Sequence, residues 1–296
     1  MRMIRPLPWR GPMCVALVLA AAGFAPADDQ TTPPTADVVA PSAQTPESSA
    51  LNTAKEAPSN VRFEFNTYLW MTALSGTAGV KGTTANVDAS FQDILDASNS
   101  LLAFSGRMEF GLGKLGFYVD GFWADLGADA QPAPRLGTSV DITFDETFLD
   151  FGGMYRLGQW DPTGSAEKNP RKITLDLYAG GRYTSLNIQL DPRRSPTIAD
   201  SESWVDPLVG AKLVLPFAEH WHLSLNGDVG GFGVGSSFAW SAVAMVGYDF
   251  TMFNHPANVF LGYKAIGQDY TNGEGRSQFT WDIITHGPIL GFGMSF

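Results

Sequence analysis

Gly287-Pro288-Ile289-Leu290-Gly291-Phe292-Gly293-Met294-Ser295-Phe296 decides the fold. Leu290, Phe292, Met294 and Phe296 are large and apolar, whereas Gly291, Gly293 and Ser295 between them are small. A period of two with one greasy face marks a β-strand, because a helix repeats every 3.6 residues. In a soluble sandwich this strand would be an exposed apolar edge, open to pairing with another chain. In a closed barrel within lipid the same face is at home.

The segments upstream repeat the pattern. Nine more stretches alternate with period two: 61–74, 101–112, 115–126, 140–157, 172–190, 204–217, 221–229, 238–250 and 259–266. Each is near or above the roughly ten residues with which a tilted strand crosses a bilayer. With 278–296 they make ten, an even number, as expected when both ends of the chain lie on one side. Within 278–296 the apolar residues change parity near His286-Gly287-Pro288, from Phe279, Trp281 and Ile283 to Leu290, Phe292, Met294 and Phe296. That change predicts a β-bulge. Short turns are expected at Gly113-Lys114, 218–220 and 254–256, with longer outward loops at 75–100, 127–139, 191–203 and 267–277. The long turn at 158–170 and the short loop 232–236 depart from this scheme. Residues 80–90 suit an extra hairpin and 91–97 a short helix, which raises the count to twelve; it falls to eight if some segments only extend outside. Aromatics near strand ends, Tyr68, Trp70, Trp123, Tyr155, Trp204, Trp221, Trp240, Tyr248 and Phe296, suit interfacial girdles. The fold expected is all-β: a transmembrane, antiparallel, up-and-down barrel spanning 61–296.

Composition agrees. No run reaches the roughly 20 apolar residues of a spanning helix. Mean hydropathy is near zero, as alternating strands average out. Residues 1–27 read as a secretory signal, with Arg2, Arg5 and Arg10 ahead of an apolar core and Ala25-Pro26-Ala27 as a small-x-small cleavage pattern. The single cysteine, Cys14, lies in that core, so neither a disulfide framework nor a lipid anchor at the cleavage point is expected. Residues 28–60, rich in Pro, Thr and Ser and without an aromatic, read as a disordered periplasmic leader. The first 27 residues hold three of the 19 basic residues and none of the 30 acidic ones, so cleavage takes the net charge from −11 to −14. An acidic chain of this kind is ill suited to nucleic acid.

Two resemblances rest on these residues. The 287–296 strand, ending on an aromatic residue, resembles the C-terminal assembly signal of bacterial outer-membrane barrels, with Leu290, Phe292, Met294 and Phe296 as its signal residues. Tyr68-Leu69-Trp70, Leu74-Ser75-Gly76, the run from Val87 to Leu95 (VDASFQDIL) and His286-Gly287-Pro288 resemble a group of uncharacterised proteobacterial, porin-like small outer-membrane β-barrel proteins. The resemblance implies a place in a Gram-negative outer membrane, with membrane lipid, lipopolysaccharide and the barrel-assembly machinery as partners. It implies no reaction.

The residues themselves supply no complete catalytic set. His222-Leu223-Ser224 with Asn226 superficially resembles the His-x-Ser pair of lipid A deacylases. Residues two apart on a strand lie about 7 Å from each other, and no orienting carboxylate follows in matching position. His220 and His222 are a weak metal pair. The acids of the outer loops, Asp125, Asp129 and Asp141, lack the histidine an omptin-like protease would need there. No catalytic residue, metal or cofactor is therefore expected. More informative is the charged face of the strands: Arg62, Glu64, Arg107, Glu109, Asp120, Glu146, Asp150, Arg156, Asp176, Arg182, Asp206, Lys212, Asp228, Asp249 and Lys264. In a narrow barrel these charges either pair into a plug or line an acid-biased, cation-preferring path.

Overall fold

The computed structural model describes residues 61–133, 138–161, 172–192 and 198–296. The signal and leader expected over 1–60 lie outside the described residues, as does most of the 158–170 turn. Strands β1 (Val61–Trp70), β2 (Ala73–Val80) and β3 (Thr83–Ala89) are followed by helix α1 (Phe91–Ala97). Then come β4 (Ser98–Leu112), β5 (Leu115–Ala133), β6 (Thr138–Trp160), β7 (Ile173–Pro192) and β8 (Ile198–Ala218). The last are β9 (Trp221–Gly230), β10 (Phe238–Met252), β11 (His255–Asn272) and β12 (Phe279–Ser295). All pairings are antiparallel, and β1 joins both β4 and β12, which closes β1 and β4 to β12 into a ten-stranded barrel. At the seam Phe63 and Phe296 exchange backbone hydrogen bonds of 3.1 and 2.8 Å.

The two remaining strands form a hairpin whose first strand adds to the upper half of β12, Ala73–Gly79 pairing with Thr280–His286. The extra hairpin thus begins at residue 73, not near 80, and turns at Lys81-Gly82, where both residues have positive φ. Phe253 and Asn254 make a second such turn between β10 and β11, the conformation that matches strand twist in two-residue hairpins. Helix α1 occupies the expected residues. Ser90 caps it, its hydroxyl accepting from the Asp93 amide while the Asp93 carboxylate accepts from the Ser90 amide. The Ser90 hydroxyl, which also donates to the Asp93 carboxylate, and the Ser90 amide hold the exposed Asp93 carboxyl below its ordinary range.

The expected bulge at 286–288 is absent. Strand β12 pairs with β11 from Phe279 to Met294 without a register shift. Odd-numbered residues face the lumen throughout, so Phe279, Trp281 and Ile283 point inward and Leu290, Met294 and Phe296 outward. Apolarity changes face because the surroundings change, from lipid outside to an apolar filling inside. The break is in the neighbouring strand: Pro288 has no N–H to donate, and the β1–β2 line is interrupted at Met71-Thr72 beside it. The Met71 amide still donates to the Pro288 carbonyl at 3.0 Å. Strands also reach further than the loop assignments allowed. Most of 127–133, 138–139, 198–203 and 267–272 is strand.

On the outer wall the alternation gives a belt without Asp, Glu, Lys or Arg among the described residues. Its upper limit is set by the outward-facing Asp125, Asp145, Asp269 and Asp282. Below them, the belt runs to the turn at Gly113-Lys114 and its counterparts, about ten residues per strand, or ~25 Å at the usual tilt. The lipid-facing part of β6 is accordingly 147–157. Trp123, Tyr155, Trp221, Tyr248 and Phe296 face outward, at roughly 37–56% exposure, and Trp221 meets Tyr248 edge-on at 5.1 Å. Tyr68, Trp70 and Trp204 do not belong to the girdles. They sit on the inward parity of their strands, Trp70 and Trp204 at 3% and 6% exposure, because the upper lumen is filled with aromatic side chains.

Candidate functional site: the inner wall of the barrel

Inward residues on facing strands touch across the lumen. At the upper end, Trp204 of β8 stacks on Tyr270 of β11, centroids 3.9 Å apart and 4° from parallel. Phe144 of β6 stacks on Trp281 of β12 at 6.2 Å. Val80, Leu186, Phe279 and Ile283 complete this cluster. Beneath it Trp70, Phe122, Phe148, Phe260, Ile266 and Ile289 form a second. Trp70 meets Phe122 edge-on at 4.8 Å. Aromatic residues of this size exclude water wherever they meet.

Charged groups are threaded between these layers. Arg182, 1% exposed, binds both oxygens of Asp150 at 2.7 and 2.8 Å and reaches Asp228 at 3.3 Å. Tyr178 and Ser241 donate to the same Asp228 carboxylate. Lower down, Lys212 of β8 crosses to Glu109 of β4 at 2.7 Å, with Glu64 3.8 Å away. Arg107 binds Glu109 at 2.6 Å and Asp120 at 3.3 Å. Asp120 also accepts from Tyr68 at 2.6 Å, and Lys264 donates to that Tyr68 oxygen at 2.8 Å. Arg156 grips Asp176 through two bonds of 2.7 and 2.9 Å. Bidentate pairs of this kind are the stronger charge-assisted hydrogen bonds. Arg62 lies at the lower rim, donating to the Gly113 carbonyl at 2.9 Å.

Asp206 is held without a cation. It accepts from the Trp204 indole at 3.1 Å, the Gln268 amide at 3.1 Å, and both the backbone and hydroxyl of Ser236, at 2.5 and 2.8 Å. Ser236 belongs to the short 231–237 loop, which folds into the barrel mouth and buries that serine fully. The loop that looked out of place in sequence is a pin through the plug. A Cβ on Gly235 would lie 2.6 Å from an Asp206 oxygen and 2.7 Å from the Val205 carbonyl. Gly235→Val is expected to expel the loop, and faster proteolytic cleavage within 231–237 of the vesicle-reconstituted barrel would report it. Cleavage at the wild-type rate would show that the loop is not pinned.

Below the ion network the lumen widens into a cavity of about 750 Å³ at the end where the short turns lie. Arg156, Lys172, Lys212, Asp176, His222 and Asp249 are among its walls. His222 Nδ1 lies 3.0 Å from Asp249, a partner invisible in the sequence because it sits 27 residues away. Only the register that places Gly247 opposite His222 brings it near. The hydroxyl of Ser224 shows no bond to that pair, and His222 and Ser224 both face the lumen, away from any lipid acyl chain. A deacylase-like set is not assembled. No group of three or more His, Cys, Asp or Glu able to hold a metal occurs among the described residues.

No protein-family model matches the chain, and no curated protein matches it. Among solved structures it is similar to the translocator domain of the autotransporter NalP from Neisseria meningitidis, at 15% identity and TM-score 0.30 over 82% of this chain and 90% of that one. It is similar to the Pseudomonas putida toluene transporter TodX, at 12% identity and TM-score 0.28 over 81% and 89%. The outer-membrane OmpT of Vibrio cholerae matches at 8% and 0.19 over 81% and 99%. At these scores the likenesses carry no argument about this chain's task.

Proposed function

We propose that this chain is an outer-membrane β-barrel closed in its outer half, serving as a structural or surface-interaction barrel and not as a standing porin-like pore. The charge-free outer belt supports the membrane setting, since lipid tolerates no unpaired charge on that face. The observation that carries closure is contact across the outer lumen: Trp204 on Tyr270 and Phe144 on Trp281. Glu109, Asp120, Asp150, Asp176 and Asp228, acids that would favour a cation path, are instead engaged by Arg107, Arg156, Arg182 and Lys212. Secretion by the N-terminal segment and delivery to the assembly machinery through Leu290, Phe292, Met294 and Phe296 belong to the same reading.

Vesicles containing the refolded protein and an impermeant dye test it. Wild-type vesicles should retain dye as well as protein-free ones. Trp204→Ala with Trp281→Ala, each truncation removing about 3–5 kcal/mol of packing, should make them leak. Rapid leakage through the wild type would refute closure.

A further inference from the structure

Glu146 stands apart from the other buried carboxylates of the inner wall. Glu109, Asp120, Asp150, Asp176 and Asp228 each meet a cation, and Asp206 is met by four neutral donor groups. Glu146 is 3% exposed and receives one hydrogen bond, from the Thr285 hydroxyl of β12 at 3.2 Å. It sits at the top of the lipid-facing belt, on the lumen side and one residue below the outward Asp145 that marks the belt's limit. Phe144 and Phe148, on either side along β6, belong to the upper and lower aromatic layers.

No charge compensates it from any packed element. From β5 its register neighbour is Ala124, with Phe122 next along that face, and the first charge, Asp120, is bound by Tyr68 and Arg107. On β6 itself Asp145 points outward, and the next charge on the inward face is Asp150, which is bound by Arg182. From β7 it faces Leu186, with Thr184 and then that same Arg182 beyond. From β12 come Thr285 and Ile283, neither of which is charged. An isolated carboxylate in such a layer is far costlier than the neutral acid.

We propose that Glu146 is a proton-operated latch on the outer plug: as the neutral acid it lets the two aromatic layers close over it, and on losing its proton to solvent it draws water between them and opens the lumen. The latch lies between strands that meet only across the lumen, β6 and β12, so hydrating it separates the walls that the plug joins. This is a two-state element biased by one local charge.

The latch rests on the closed-lumen reading, and one experiment separates the two. Single barrels are recorded in phosphatidylcholine bilayers from about pH 6 to about pH 10, wild type beside Glu146→Gln. The wild type should be silent at the acid end, with its open time rising by up to about tenfold per pH unit as pH climbs, until Glu146 is fully ionised. Glu146→Gln should stay silent throughout. Difference infrared spectra should show a protonated-carboxyl band in the wild type at acid pH, absent from the variant and lost at alkaline pH. That band keeps the proposal open to test even if the variant refolds poorly. A wild type that conducts freely at acid pH refutes closure and the latch with it. Silence at both ends of the range, equal opening of both proteins, or no protonated-carboxyl band leaves closure standing and overturns the latch.

Discussion

Arg182→Ala is expected to cost about 3–5 kcal/mol of barrel stability, because it leaves two buried carboxylates without their cation. The guanidinium is essentially unexposed and serves Asp150 through two bonds and Asp228 through a third contact. Neither acid has a substitute cation in the described structure. Tyr178 and Ser241 would still donate to Asp228, but a hydroxyl does not balance a charge. Solvent screening is slight here, since the side chains of Arg182 and Asp228 are 1% and 4% exposed. The cost belongs to stranded charge, not to the pairs' net worth. Converting all three residues together, as Arg182→Met with Asp150→Asn and Asp228→Asn, should therefore recover most of the loss. Urea unfolding of the vesicle-reconstituted barrel, followed by tryptophan emission, gives both values. A loss below about 1 kcal/mol for Arg182→Ala, or no recovery in the triple variant, would mean that water already reaches this network.

Gly287→Val should prevent closure of the barrel. A Cβ at Gly287 would stand 1.8 Å from the Met71 carbonyl oxygen and 2.8 Å from its carbon. Both are backbone atoms, so no side chain can swing away. The obstruction falls where Pro288 already removes a ladder donor and β1 gives way to β2. The seam has no slack there, and the cost should exceed the roughly 1–3 kcal/mol of ordinary overpacking. Gly153→Ala is the matched control. It lies on the outer wall with nothing within 4 Å of its added Cβ, so it should stay within about 0.5 kcal/mol of wild type. Refolding yield into vesicles reads the contrast directly. Equal yields for the two variants would show that the β1–β12 seam can shift to absorb a side chain.

The facing of nearly every strand was legible because period two survives any error in strand ends. Phe63 and Phe65 against Arg62 and Glu64, or Leu223 and Leu225 against His222 and Ser224, could not be inverted without placing charge in lipid. The helix at 91–97 was legible because its cap and first turn are local. What escaped was anything that depends on height. Below Asp282 the apolar Ile284 and Leu290 of β12 face lipid, while Ile283 and Ile289 face the filled lumen. Above it, Trp281 and Phe279 belong inside, and no single-strand pattern records where the lipid stops. The same ambiguity sent Trp70 and Trp204 to the girdle and suggested a bulge in an uninterrupted strand. The inner-wall charges were readable one by one. Their pairing was not, since Lys212 and Glu109 lie 103 residues apart and meet only because the barrel closes. Asp249 beside His222 and Ser236 beneath Asp206 escaped for the same reason.

Whether the filled lumen is shut can be read from single-channel recording of the refolded wild type at neutral pH. With folding confirmed in the same vesicles, the bilayer should stay electrically quiet. Discrete, long-lived, cation-selective steps that shrink when Asp176 or Asp206 is neutralised would contradict it and make the inner wall a conducting path.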